Sequence, residues 1–118
     1  MTQVTQGPTI TLQAGAKLNE HALVRFSAGK LANCAIGDND FLGTLERPTA
    51  AADEYVAVRL HNAEGTHLCI AGGAIAKGAI VYTANTGRVN DVASGANRVG
   101  IAMSATTAID ELIEVLFD

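Results

Sequence analysis

The sequence predicts an all-β fold, a small β-sandwich or barrel built from two diverged β repeats and preceded by a flexible N-terminal arm. Three observations predict it. Residues 10–60 realign on residues 67–117 at a shift of about 57 positions. Each copy carries short alternating apolar stretches separated by glycine-bearing turns. Helical signals are weak: Pro48 interrupts the first copy, and Thr49–Ala52 or Ser104–Ala108 would form a turn or two at most. A chain of 118 residues is near the common size of one domain and long enough to bury most of its apolar surface. The expectation is therefore a single domain over 1–118, with an arm at 1–9, repeats at 10–60 and 67–117, and a connecting loop at 61–66.

The repeat rests on ordered pairs. Ala14-Gly15 falls on Ala71-Gly72, Leu18 on Ile75, Ala22 on Ala79 and Val24 on Val81. A one-residue insertion in the second copy then brings Gly29-Lys30 onto Gly87-Arg88, and Ala35, Gly37 and Asn39 onto Ala93, Gly95 and Asn97. The insertion is lost before Gly43, which meets Gly100; Thr49 then meets Thr106, Asp53-Glu54 meets Asp110-Glu111, and Val58 meets Val115. Matched positions are those of turns and apolar strand faces, which explain folding. Unmatched positions, the arm and the 61–66 loop, are where binding is expected.

Taken in order, the polar arm Met1 to Thr9 ends with Gly7-Pro8 as a break before the first strand. Terminal segments of this kind order when a partner ties them down. A hairpin follows in each copy: Ala22–Ser27, a turn at Ala28-Gly29 and Lys30–Ile36, then in parallel Ala79–Thr83, a turn at Asn85-Thr86-Gly87 and Arg88–Ala93. Gly29 and Gly87 supply the positive φ that short hairpin loops demand. Strands around Phe41–Glu46 and Val99–Met103 contain Gly43 and Gly100, which mark a bulge or a close backbone approach. Each copy closes on an alternating strand, with Val56, Val58 and Leu60 on one face, and again with Ile113, Val115 and Phe117 against Glu114 and Leu116. Asp53-Glu54 and Asp110-Glu111 suit the turns before these strands.

Composition narrows the function. The core is carried by Ala, Val, Leu and Ile, with no Trp and few aromatics. A net charge of −4 with scattered Lys and Arg argues against nucleic-acid binding, which draws its affinity from clustered basic residues. No apolar run approaches the ~20 residues of a membrane span, and Met1-Thr2-Gln3 lacks the features of a signal peptide, so synthesis and retention in a reducing cytoplasm are expected. Cys34 and Cys69 have no metal-ligand or redox spacing and align with Val92 and Leu12, so they read as buried free thiols.

Catalytic constellations find little support. His21 aligns with Gly78 and His67 with Ile10, so neither recurs, and with His61 they read as surface histidines, His61 and His67 flanking the connecting loop. Adjacent carboxylates in an extended segment point to opposite faces, so Asp53-Glu54 and Asp110-Glu111 do not converge on one substrate atom. Asp38-Asn39-Asp40 begins like a calcium loop, but Leu42 and Thr49 stand where the fifth and twelfth ligands belong, so a plain turn is the better reading. No phosphate-cradling glycine motif is present. No metal, cofactor or catalytic residue is therefore assigned.

The run Ala71-Gly72-Gly73-Ala74-Ile75-Ala76-Lys77-Gly78-Ala79-Ile80-Val81, with Gly87-Arg88-Val89, Val99-Gly100-Ile101-Ala102 and Asp110-Glu111-Leu112-Ile113-Glu114-Val115, resembles the capsid decoration proteins of tailed bacteriophages. The likeness covers about the last fifty residues well, and Leu18 to Leu60 more loosely. It implies a non-enzymatic cement protein, made in the host cytoplasm. Such a protein is commonly a homotrimer, seated on the outer surface of the virion head and binding the major capsid protein. An acidic chain suits that outer surface better than a DNA-filled interior. Within this reading the arm residues Thr2, Gln3, Val4, Thr5, Gln6, Gly7, Pro8 and Thr9 are expected to contact the capsid by adding a strand to the edge of a capsid sheet. Competing readings are a phage tail or baseplate component and a carbohydrate or small-ligand binding module. The latter is disfavoured because Tyr55 and Tyr82, the only tyrosines, lie in or beside expected strands.

Overall fold

The computed structural model describes residues 9–118. Ten strands run in chain order: β1 (Thr9–Gln13), β2 (Leu23–Ser27), β3 (Lys30–Asn33), β4 (Gly43–Leu45), β5 (Tyr55–Leu60), β6 (His67–Ala71), β7 (Ile80–Thr83), β8 (Arg88–Asn90), β9 (Arg98–Ala102) and β10 (Leu112–Phe117). A single 3-10 turn at Asn85–Gly87 joins β7 to β8. The protein is all-β. β1 to β5 form a sheet of order β1-β5-β4-β2-β3, and β6 to β10 form a closed barrel of order β10-β6-β8-β7-β9.

The two halves repeat each other in hydrogen-bond register. Gly43 pairs with Leu60 and Thr44 with Arg59, as Gly100 pairs with Phe117 and Ile101 with Leu116. Leu12 pairs with Val56, as Cys69 pairs with Ile113. The barrel closes through the parallel β6–β8 pair, Ala71 facing Val89, and the first sheet makes the same contact through a single parallel bridge between Ala14 and Leu31. Small residues permit it. The amides of Gly15 and Gly72 donate to the carbonyls of Leu31 and Val89 at 2.9 and 2.7 Å, and a Cβ on Gly15 would stand 3.0 Å from that Leu31 oxygen.

The glycines at the fourth strand of each half have a clear cause. A Cβ on Gly43 would lie 1.9 Å from the Arg59 carbonyl oxygen, and one on Gly100 would lie 2.0 Å from that of Leu116. These are close backbone approaches. The turn before the last strand is equally repeated. Asp53 and Asp110 take φ of 72° and 70°, and their amides donate to the carbonyls of Ala14 and Ala71, each at 2.8 Å. The neighbouring Glu54 carboxylate accepts from the amides of Ala50 and Ala51, and Glu111 accepts from those of Thr107 and Ala108. Each Asp-Glu pair thus folds a turn, using one residue's backbone and the other's side chain.

Two apolar clusters fill the halves, and each borrows from the other. Ala14, Leu18, Val24, Leu31, Leu45, Val56 and Val58 take in Ile70 from the second repeat. Cys69, Ala71, Ile75, Val81, Val89, Val99, Ala102, Ile113 and Val115 take in Leu23 and Cys34 from the first. The loop after β3 also meets the second repeat twice: the Asn97 side-chain amide donates to the Gly37 carbonyl at 2.7 Å, and the Ile36 amide donates to the Asn85 side chain, in the turn before β8, at 3.2 Å.

Thr9, which the sequence places at the end of the arm, is the first residue of β1 and pairs with Arg59. β1 forms one edge of its sheet, beside β5, and starts one residue before the first repeat of the sequence. The expected arm contacts from Thr2 to Pro8 lie outside the described residues.

Candidate interaction surface

The histidines do not gather. His21 sits in a turn at φ 67°, beside Glu20 at 3.5 Å. His61 is exposed, and its ring meets Phe41 edge-on. His67 departs from the expected surface position: it is buried at the start of β6 and stacks on Phe117 with ring centroids 4.2 Å apart. Its Nε2 donates to the Leu60 carbonyl at 2.8 Å, and its Nδ1 is buried with no partner among the described residues. Burial holds its pKa below the ordinary value, partly offset by the Leu60 carbonyl. The cause is the alternation of β6, whose inward set begins at His67 and continues through Cys69 and Ala71.

The remaining candidates are structural. Asp38 accepts the Ala35 amide at 2.8 Å, and Asp40 accepts from Arg25 at 3.1 Å, which makes Asp38-Asn39-Asp40 a turn pinned to β2. Lys30 with Asp53 and Arg88 with Asp110 are exposed ion pairs at equivalent places in the two halves. Cys34 and Cys69 are free and buried in the same cluster. Burial, with Asp38 and Asp40 nearby, pushes the Cys34 thiol up to about 12, and burial alone raises Cys69 further. Thiols so far from thiolate are inert as nucleophiles or ligands.

Tyr55 differs from expectation in its exposure. At 73 % accessible, it stands outward at the start of β5. It borders a shallow groove of about 240 Å³ with Thr11, Arg47, Pro48 and Glu54. A second groove of about 220 Å³ runs between the halves, lined by His21, Thr44, Glu46, Arg59, Thr66 and Leu68. Both are smaller than the ~300–1,000 Å³ of small-molecule sites. The 61–66 loop lies at this junction, where the Arg59 guanidinium donates to the Glu64 carbonyl and the Thr66 hydroxyl donates to Glu114 at 2.7 Å.

What the surface does present is an apolar face on the barrel of the second repeat. Ile80 of β7 pairs with Ile101 of β9, which pairs with Leu116 of β10, so three apolar side chains stand in a row across three strands on the outer side. Ile80 and Leu116 are 38 % and 42 % accessible, and Met103 continues the outward set of β9 at 40 %. Contact with another macromolecule is the chemistry such a face supports. It lies on positions matched between the repeats, which had been expected to carry only folding. The signal was in the alignment: Ile101, Met103 and Leu116 are apolar where Thr44, Glu46 and Arg59 stand in the first copy.

A family model described as phage cement protein matches residues 3–117. No curated protein sequence matches the chain. Among solved structures, the N base of the head fibre protein gp8.5 of bacteriophage phi29 superposes with a TM-score of 0.73, covering 93% of this chain and 92% of that one at 15% identity. At that identity the likeness is one of fold.

Proposed function

This chain belongs to the phage cement protein family, and on that premise we propose that it binds the outer surface of the phage head and stabilises it by bridging neighbouring capsid subunits as a homotrimer. The observation that carries the reading is the family match across residues 3–117. The structure supports it with a sheet and a closed barrel joined through shared cores into one unit. The reading assigns no catalysis and no cofactor.

The capsid contact proposed is the arm from Thr2 to Thr9, added as a strand to a capsid sheet. Thr9 anchors it, because it is already paired within β1. A footprint of about 800 Å² per subunit gives specificity, and three linked copies multiply a modest affinity into tight retention. Co-sedimentation of the purified protein with empty, expanded heads of its phage tests this. Saturable binding is expected, and removal of residues 2–8 should weaken it while leaving the fold intact. Failure to bind any capsid form would defeat the reading; undiminished affinity after removal would defeat the arm's role alone.

One observation favours a second reading, a ligand-binding module: the exposed Tyr55 ring beside Arg47 and Glu54. Retention on a glycan array that is lost in Tyr55→Ala would support it.

A further inference from the structure

The first repeat already uses the outer face that is bare on the second. Leu23 and Val24 are neighbours on β2 and both fully buried, yet Val24 packs in the core of its own repeat and Leu23 in the cluster of the other. Leu23 therefore points outward, and its cross-strand partner Thr44 stands beside it, 3 % accessible. The second repeat covers them. Leu68 and Ile70, the outward residues of β6, meet this region: Leu68 lines the groove with Thr44 and Arg59, and Ile70 joins the first repeat's cluster. The Asn85–Gly87 turn seats itself on β2, with the Gly87 amide donating to the Cys34 carbonyl at 2.9 Å. A Cβ on Gly87 would lie 3.1 Å from the Leu23 oxygen.

This contact is heterologous. It joins the outer β2–β4 face of one repeat to the outer β6 face and hairpin turn of the other, and each partner surface has an unused counterpart. On the second repeat the counterpart of Leu23 and Thr44 is the cross-strand pair Ile80 and Ile101. It is made more apolar by Leu116 and Met103. On the first repeat the counterpart of Leu68, Ile70 and Gly87 is Thr11, Gln13 and Gly29. A Cβ on Gly29 would meet nothing within 4 Å. Of the charges that flank the row, Glu114 is engaged by Thr66, and Arg98 and Asp118 are paired with each other.

We infer that the Ile80–Ile101–Leu116 face binds a second copy of this chain, receiving the outer β1 face and Ala28-Gly29 turn of that copy's first repeat as Leu23 and Thr44 receive the second repeat within one chain. Such a contact runs head to tail, so copies close into a ring where the rotation permits and extend where it does not. The inference rests on the reading that the chain works as an oligomer, and supplies the surface that oligomer uses.

The test is sedimentation velocity on the full chain. Wild type is expected to sediment above its 12.2 kDa monomer mass, with Ile101→Glu and Leu116→Glu each returning it to monomer at unchanged circular dichroism. Thr11→Glu, on the opposite surface, should do the same. An equimolar mixture of Ile101→Glu and Thr11→Glu should form a dimer and nothing larger, because each retains the face that the other lacks. Monomeric wild type at every concentration overturns the inference, as does association of both face variants at wild-type strength. Failure of the mixture to dimerise overturns the head-to-tail geometry. Binding to heads is scored separately: a monomer that binds heads sinks this inference and the homotrimer with it but leaves head binding standing, and an oligomer that binds none does the reverse.

Discussion

Gly43 and Gly100 are single residues on which strand pairing depends. An added methyl group at either would collide with a backbone carbonyl at about half of normal contact distance, 1.9 and 2.0 Å, and backbone cannot rotate aside as a side chain can. Gly43→Ala and Gly100→Ala are each expected to cost about 3 kcal/mol or more, measured by urea unfolding. Gly29→Ala meets open space and carries only the strain of φ +82°, about 1 kcal/mol. His67 makes stability depend on pH. Its folded pKa is lowered by burial, so the unfolded chain, with a histidine near 6.5, takes up a proton first. The contribution is complete above that value and is lost as pH falls toward the lower folded pKa. His67→Phe should flatten the stability slope between about pH 6.5 and 5, where carboxylates are still ionised; an unchanged slope would contradict the assignment. The burial of His67 was not legible from the residue itself, since a histidine beside a polar loop reads as surface, although Ile10 stands at the matching place in the other copy. Once aligned with an apolar residue it pointed inward all the same.

At the scale of elements, a buried threonine ties the segment before each last strand to the loop after the first. Thr49 is 2 % accessible; its hydroxyl accepts the Leu18 amide at 2.8 Å and donates to the Ala16 carbonyl at 3.0 Å. Thr106, its equivalent, donates only to the Gly73 carbonyl, at 2.9 Å. Thr49→Val leaves a buried amide unpaired and is expected to cost about 2–3 kcal/mol, and Thr106→Val about 1 kcal/mol, in denaturant titrations. Equal losses would mean that the Leu18 amide finds water instead. Much of this level could be read in advance. The hairpins turn at Ala28-Gly29 and Asn85–Gly87, and the closing strands alternate as Val56 and Val58, then Ile113 and Val115, because period-two burial and positive-φ glycines are local properties. β6 was less visible, since His67 at its start reads as a surface residue beside the 61–66 loop.

Across the whole molecule, the two halves exchange core residues, so they should unfold together. Leu23→Ala removes a first-repeat side chain from the second repeat's cluster, and a loss of about 2–5 kcal/mol is expected with a single transition preserved. Two separated transitions in calorimetry would show that the halves are independent. How the repeats pack was hidden from the sequence, because Leu23 and Val24 are adjacent apolar residues on one strand and nothing local says that they serve different cores. The bare apolar face was hidden for a related reason: Ile80, Ile101 and Leu116 come from three distant stretches and become neighbours only through strand pairing. The central claim, that this is a structural protein of the head exterior, is tested most directly by cryo-electron microscopy of virions carrying the chain. Density that fits the joined sheet and barrel on the outer capsid surface, spanning adjacent capsid subunits, is the predicted result; the same density on the tail or baseplate, with the head bare, would contradict it.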